Sequence, residues 1–123
     1  MNSRLTPIFS PKIDDKVFDY HDVITWGTNN LHDENVIPLT IDDIYLLQRD
    51  SKLIDIINEE IDGYVEPYEN YVIYDKKVKL SLQLNLKNYK LELLDGFIKK
   101  TCIQMIAVLE YSIENDRGFY IYF

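Results

Sequence analysis

One cysteine, two histidines, four glycines and a single alanine are all that this chain of 123 residues holds of those types. Cys102 has no partner for an intramolecular disulfide, so the fold must rest on burial, and a reducing compartment suits it. The glycines, Gly27, Gly63, Gly96 and Gly118, stand singly at segment boundaries, which excludes a phosphate-cradling loop or a dinucleotide fingerprint. Long apolar runs are also missing. MIAVL, near the C-terminus, is far too short to cross a bilayer. The opening MNSRLTPIFSPKIDD lacks the apolar stretch of a secretory signal. A soluble, cytoplasmic protein is the expectation.

Positive charge is in deficit too. The chain carries 13 basic and 21 acidic residues, a net of −8. Clustered Lys and Arg bind phosphate backbones and anionic membranes, so this balance argues against direct contact with nucleic acid or a membrane. Hydrophobic residues make up 46% of the chain, enough for one modest core, so a single α+β domain over residues 1–123 is expected. Ile, Asn, Lys and Tyr are plentiful, a mixture typical of an AT-rich bacterial or phage gene.

The periodicity sets out the elements. Residues 1–40 hold three of the four prolines and read as a less regular N-terminal arm, with short strands at KVFDY and DVITW. Thr40 followed by Asp43 resembles a capping box that opens a helix. One helix over residues 41–62 would place Asp50 in the middle of an apolar arc, which is costly. A break at Asp50-Ser51 removes the conflict, giving helices over 41–49 and 52–62, the second ending at Gly63. Tyr71 to Tyr74 is β-prone. VKLSLQLNLK then alternates without a fault and predicts a strand buried on one face by Val78, Leu80, Leu82, Leu84 and Leu86. Tyr89, Leu91 and Leu93 continue as a third antiparallel strand. From Phe97 the period returns to that of a helix, with Cys102 on its apolar stripe as a core filler. FYIYF closes the sheet. The fold expected is α+β, an antiparallel sheet of about three to five strands with helices packed on one face.

The negative charge is unevenly placed. Residues 1–40 carry a net of −3, residues 41–75 a net of −8 and residues 76–123 a net of +3. Within IINEEIDGYVEPYENY, residues 56–71, lie Glu59, Glu60, Asp62, Glu66 and Glu69, with Tyr64, Tyr68 and Tyr71 between and beyond them. A solvated helix face accounts for acids at a helix start, as at Asp42 and Asp43. It does not account for Glu59, Glu60 and Asp62, which fall where the helix dipole disfavours anions. Acids steer and pair with Lys and Arg, while tyrosines add rigid contact area and cation–π contacts. Asp55, Glu59, Glu60, Asp62, Tyr64, Glu66, Tyr68, Glu69 and Tyr71 are therefore the expected partner-binding residues. A weaker second candidate is the polar face of the predicted strand, Lys77, Lys79, Ser81, Gln83, Asn85 and Lys87, a mildly basic strip.

Catalytic constellations are thin. His21 and His32, with Asp19, Asp22, Asp33 and Glu34, could be imagined around a metal ion, but their spacing matches no zinc pattern. Exposed loop residues are the plainer reading. No catalytic residue, metal or cofactor is expected, and a binding protein is favoured over an enzyme.

Length, the α+β pattern, the acidic tyrosine-rich run DIINEEIDGYVEPYENY and the segment VIPLTIDDIYLL together resemble small acidic bacterial immunity proteins, including those of contact-dependent growth inhibition systems. That resemblance implies a cytoplasmic inhibitor, monomer or homodimer, that covers the active or substrate-binding site of a cognate basic toxin of the nuclease type. Three alternatives stand beside it. One is a phage-encoded nucleic-acid-mimic inhibitor, which uses the same electrostatics on another target. Another is a small metal-dependent hydrolase or nuclease working through His21 or His32. The third is a plain structural subunit or homo-oligomeric interaction module.

Overall fold

The computed structural model describes residues 5–65 and 68–123. Its elements run β1 (Thr6–Phe9), α1 (Tyr20–Asn29), β2 (Val36–Leu39), α2 (Ile41–Asp50), α3 (Leu53–Ile61), β3 (Asn70–Ile73), α4 (Lys76–Lys90), α5 (Phe97–Asn115) and β4 (Phe119–Tyr122). The strands form one antiparallel sheet in the order β2-β1-β4-β3. The expected α+β architecture is the one observed. The closing strand β4 lies inside the sheet rather than at its rim, because Ile8 pairs with Ile121 on one side and Val72 with Tyr120 on the other.

Alternation along the strands splits the core in two. Ile8, Ile37, Leu39, Ile73, Phe119 and Ile121 face the larger cluster, which they share with Ile44, Leu47, Leu53, Ile54, Ile57, Leu82, Leu86, Cys102, Met105 and Leu109 of the helices. Phe9, Val36 and Tyr120 face the other way, against Val23. Helices α2 to α5 thus cover one face, and α1 covers part of the second.

The break between α2 and α3 falls where expected. Thr40 and Asp43 form a reciprocal capping box, with the Asp43 N–H 3.0 Å from Thr40 Oγ1 and the Thr40 N–H 2.9 Å from Asp43 Oδ2. Ser51 Oγ donates to the Leu47 carbonyl at 2.5 Å and accepts the Leu53 N–H at 3.2 Å, so one hydroxyl ends a helix and starts the next. The predicted helix from Phe97 is α5, on which Cys102 is fully buried.

Four strand expectations are corrected. Residues 78–87 are not a strand but the body of α4. Its inward face is Val78, Lys79, Leu82, Gln83 and Leu86, while Leu80 and Leu84 are 46% and 60% exposed. The alternating pattern loses because Asp75 caps the helix, its Oδ1 accepting the Lys77 and Val78 N–H groups at 2.8 and 3.1 Å. The polar residues turned inward also find partners. Gln83 Nε2 donates to the Ile106 carbonyl at 3.2 Å and to Glu110 Oε2 at 2.7 Å. The basic strip read from that strand therefore does not exist: Lys79 and Gln83 are buried. Tyr89 lies in the last turn of α4, Leu91 in the turn after it and Leu93 just beyond, so the expected third strand is absent there.

The N-terminal arm is more regular than its prolines suggest, since it supplies β1, α1 and β2. DVITW, expected as a strand, lies in α1, whose N-cap Asp19 accepts the Asp22 N–H at 2.8 Å. KVFDY is mostly a turn before that helix. Gly27 allows the close approach of α1 to the sheet, because a Cβ there would stand 2.6 Å from the Phe9 ring.

Candidate protein-binding surface

The acidic surface is built on α3. Leu53, Ile54 and Ile57 bury one side of this helix completely or nearly so, which turns positions 55, 58, 59 and 62 to solvent at i, i+3, i+4 and i+7 spacing. The helix ends at Asp62, which takes the left-handed conformation (φ 51°, ψ 51°) that Asp tolerates better than most residues. The Gly63 N–H bonds to the Asn58 carbonyl at 3.1 Å, and the Val65 N–H bonds to Asn58 Oδ1 at 2.6 Å. Asn58 thus folds the chain back over the helix end. The result is an open depression of about 450 Å³ lined by Asp55, Asn58, Glu59, Asp62, Gly63 and Tyr64.

The structure brings together Asp55, Glu59, Asp62 and Tyr64 of the expected residues, and Tyr64 is 83% exposed. It separates Glu60. That carboxylate accepts from Ser81 Oγ at 2.9 Å and from Asn85 Nδ2, which ties α3 to α4. Tyr71, on edge strand β3, borders a different hollow of about 210 Å³ with Glu60, Tyr74, Asp75 and Val78. Tyr68 is 71% exposed with φ 70°, and the Glu69 carbonyl accepts the Phe123 N–H at 3.1 Å. Glu66 lies outside the described residues.

Asp55, Glu59 and Asp62 of the acidic surface form no ion pair among the described residues. Among the described residues the ion pairs join Lys12 to Asp33 and Glu34, Lys16 to Asp116, Arg49 to Asp50, Lys99 to Asp95 and Arg117 to Asp14. None involves Asp55, Glu59 or Asp62, and α3 has no basic residue in its last turn. Anions at that helix end cost roughly 0.3–1 kcal/mol each at low ionic strength. Among the described residues no salt bridge offsets this cost.

Elsewhere the chemistry is structural. His21 is exposed on α1, and His32 is exposed in the following loop, where Asp33 and Glu34 are engaged by Lys12. Among the described residues no three His, Cys, Asp or Glu side chains converge as metal ligands. The Cys102 thiol contacts the Leu86 carbonyl at 3.4 Å, and burial pushes its pKa up, away from reactivity. Among the described residues no helix is long and apolar enough to cross a membrane.

No family model matches the chain. Over 124 aligned residues, spanning all of both proteins, it is 27% identical to the DNA mimic protein DMP12 of Neisseria meningitidis serogroup B. The solved structure of the Neisseria DNA mimic protein DMP12 has the same fold, with a TM-score of 0.78 at 24% identity over 98% of this chain and 100% of that one. These findings overturn the expected kinship with toxin-immunity proteins of contact-dependent growth inhibition. The expected partner, a cognate basic nuclease toxin with nucleic acid playing no part, falls with it. What the chain resembles, along its whole length, is a protein named for imitating DNA.

Proposed function

We propose that this protein is a DNA mimic: a binding protein, not a catalyst, that occupies the duplex-binding surface of a DNA-binding protein. The carrying observation is the row Asp55, Glu59 and Asp62, outward on one helix face and free of internal ion pairs among the described residues. Their spacing of four and three residues sets the carboxylates about 6 and 4.5 Å apart along the helix axis. Phosphates on one DNA strand recur about every 3.4 Å of duplex axis, so the two ladders match within a factor of two. Tyr64 adds a rigid aromatic surface that can stack on Arg or Lys. Full-length similarity to a DNA mimic protein supports the same reading.

The experiment is a displacement. DNA-binding proteins of the host are loaded on duplex-DNA cellulose and challenged with the pure protein at low salt. Elution by the wild type is expected, weakening as salt rises because the attraction is coulombic. The triple variant Asp55→Asn, Glu59→Gln, Asp62→Asn should need at least about tenfold more protein for the same elution. Failure of a large molar excess of wild type to elute any bound protein refutes the reading.

A further inference from the structure

Residues Asp14 to Phe18 form a turn whose charged side chains bond across to a neighbouring segment while its apolar ones face water. The Val17 and Phe18 N–H groups both bond to the Asp14 carbonyl, at 3.0 and 3.1 Å. Asp14 Oδ1 accepts the Lys16 N–H at 3.0 Å and lies 3.8 Å from Arg117 Nη1. Asp15 Oδ2 accepts the Gly118 N–H at 2.7 Å and the Tyr120 hydroxyl at 3.0 Å. Lys16 Nζ bridges the Asp116 carboxylate at 2.9 Å and donates to the Asp116 carbonyl at 2.6 Å. The turn is thus bolted at three successive residues to the connection between α5 and β4.

What this anchoring presents is apolar. Val17 is 75% and Phe18 47% exposed. Tyr20 and Tyr74, 48% and 58% exposed, flank Tyr120 with ring centroids 6.4 and 6.1 Å away. Large exposed apolar groups gathered on a rigid support mark a contact surface, because covering them removes water and costs little conformational entropy. The neighbouring carboxylates set the occupant's charge. Asp19 and Asp22, beside Tyr20, are exposed and join none of the ion pairs among the described residues, whereas Asp75 is followed by the exposed cations Lys76 and Lys77. The complementary surface is an apolar patch bordered by Lys or Arg.

This inference rests on the DNA-mimic reading and deepens it. A row of carboxylates addresses what DNA-binding proteins share, a basic groove. It cannot by itself tell one of them from another. Discrimination needs a contact that duplex DNA does not offer. We infer that the Asp14–Phe18 turn, with Tyr20 and Tyr74, is a selectivity surface that docks on an apolar, basic-bordered patch beside the DNA groove of its partner. The acidic row sits on α3, on the larger-core face of the sheet, and the turn bonds to Tyr120 on the other face, so a partner that engages both reaches around the sheet.

The test extends the displacement assay to the Val17→Ser, Phe18→Ser double variant. Both side chains are exposed, and thermal unfolding verifies the fold; Val17→Ser alone serves if the double variant is unstable. Eluted proteins are identified by mass spectrometry across a concentration series. Wild type should release a small subset of the loaded proteins, and the turn variant should need at least tenfold more to release that subset. Its weak, unselective release of other proteins at high concentration should be unchanged. If both elute the same subset at the same concentration, the selectivity surface is disproved while the DNA-mimic reading stands. If wild type elutes nothing, the DNA-mimic reading itself fails and takes the selectivity surface with it.

Discussion

Lys79 Nζ lies 2.5 Å from the Arg117 carbonyl oxygen and 3.5 Å from that of Ser112, so a buried ammonium on α4 caps the C-terminal end of α5. This end has no basic residue of its own in the last turn. Lys79 supplies the missing cation from another helix, at 2% exposure. Asp15, Asp75 and Asp116 pull its pKa upward, and Lys16 opposes them, but burial is the largest influence and holds the pKa below 10.5.

A base whose folded pKa is depressed binds fewer protons folded than unfolded. Stability therefore falls as pH drops from 10.5 through the folded value, and rises as pH climbs back. Wild type should gain at most about 1.4 kcal/mol per pH unit in that window relative to Lys79→Met, in which this dependence is absent. Urea unfolding of both proteins from pH 7.5 to 10.5 measures the difference, and parallel curves would refute the assignment.

Tyr120 has the opposite sign. Burial, then the hydrogen bond with Tyr74 at 3.0 Å and the nearby Asp15, drive its pKa well above 10. A phenol raised in this way contributes stability that is full below pH 10 and is lost at higher pH, where only the unfolded chain ionises. Tyr120→Phe should cost about 1–3 kcal/mol at pH 7, because the buried side of Asp15 loses a donor. It should also flatten the decline above pH 10. Thermal melts of the two proteins across pH 8 to 11 check both effects.

Glu60 and its neighbour Glu59 should part company. Glu60→Ala breaks the link to Ser81 and Asn85 and should lower stability by about 1 kcal/mol while leaving displacement activity near wild type. Glu59→Gln and Asp62→Asn relieve anions at a helix end and should each raise stability by roughly 0.3–1 kcal/mol while weakening displacement. Asp55→Asn, in the first turn of α3, should lower stability slightly. Chemical denaturation beside the displacement assay separates the roles, and equal stability changes at residues 59 and 60 would contradict this division.

Gly27→Ala tests the α1 contact. Its Cβ meets a buried aromatic ring at 2.6 Å, so overpacking should cost about 1–3 kcal/mol. Gly63→Ala is the control, since its nearest neighbour, an Ile61 methyl, lies at 3.6 Å and its φ needs no glycine. A drop in melting temperature at residue 27 with little change at 63 is the expected pattern.

The legible parts of the fold were those whose cause lies within a few residues. Thr40 and Asp43 cap each other, and Asp50-Ser51 interrupts an apolar arc, so the boundary between α2 and α3 could be read directly. The stripe through Cys102, Met105 and Leu109 marked α5 in the same way. Residues 78–87 could not be read so. Their alternation fits a strand over ten residues, and the signal against it is a single side chain, the Asp75 cap. In the site, the acids of α3 were legible as charge. Which of them faces water was not, because Ser81 and Asn85, which take Glu60 out of the row, lie in a segment whose alternation matches a strand.

By itself the sequence determined the excess of negative charge, its concentration in residues 41–75, and the helices set by local caps and periodicity. These depend only on composition and near neighbours. The tertiary structure alone decided that Lys79 and Gln83 of α4 turn inward, that Asp55, Glu59 and Asp62 form no ion pair among the described residues while Glu60 is hydrogen-bonded, and that Val17 and Phe18 face outward. The physical reason is that burying Lys79 or Gln83, or pinning Asp15, is affordable only once their partners arrive. Those partners, at Ile106, Glu110, Ser112, Arg117, Gly118 and Tyr120, come from far along the chain.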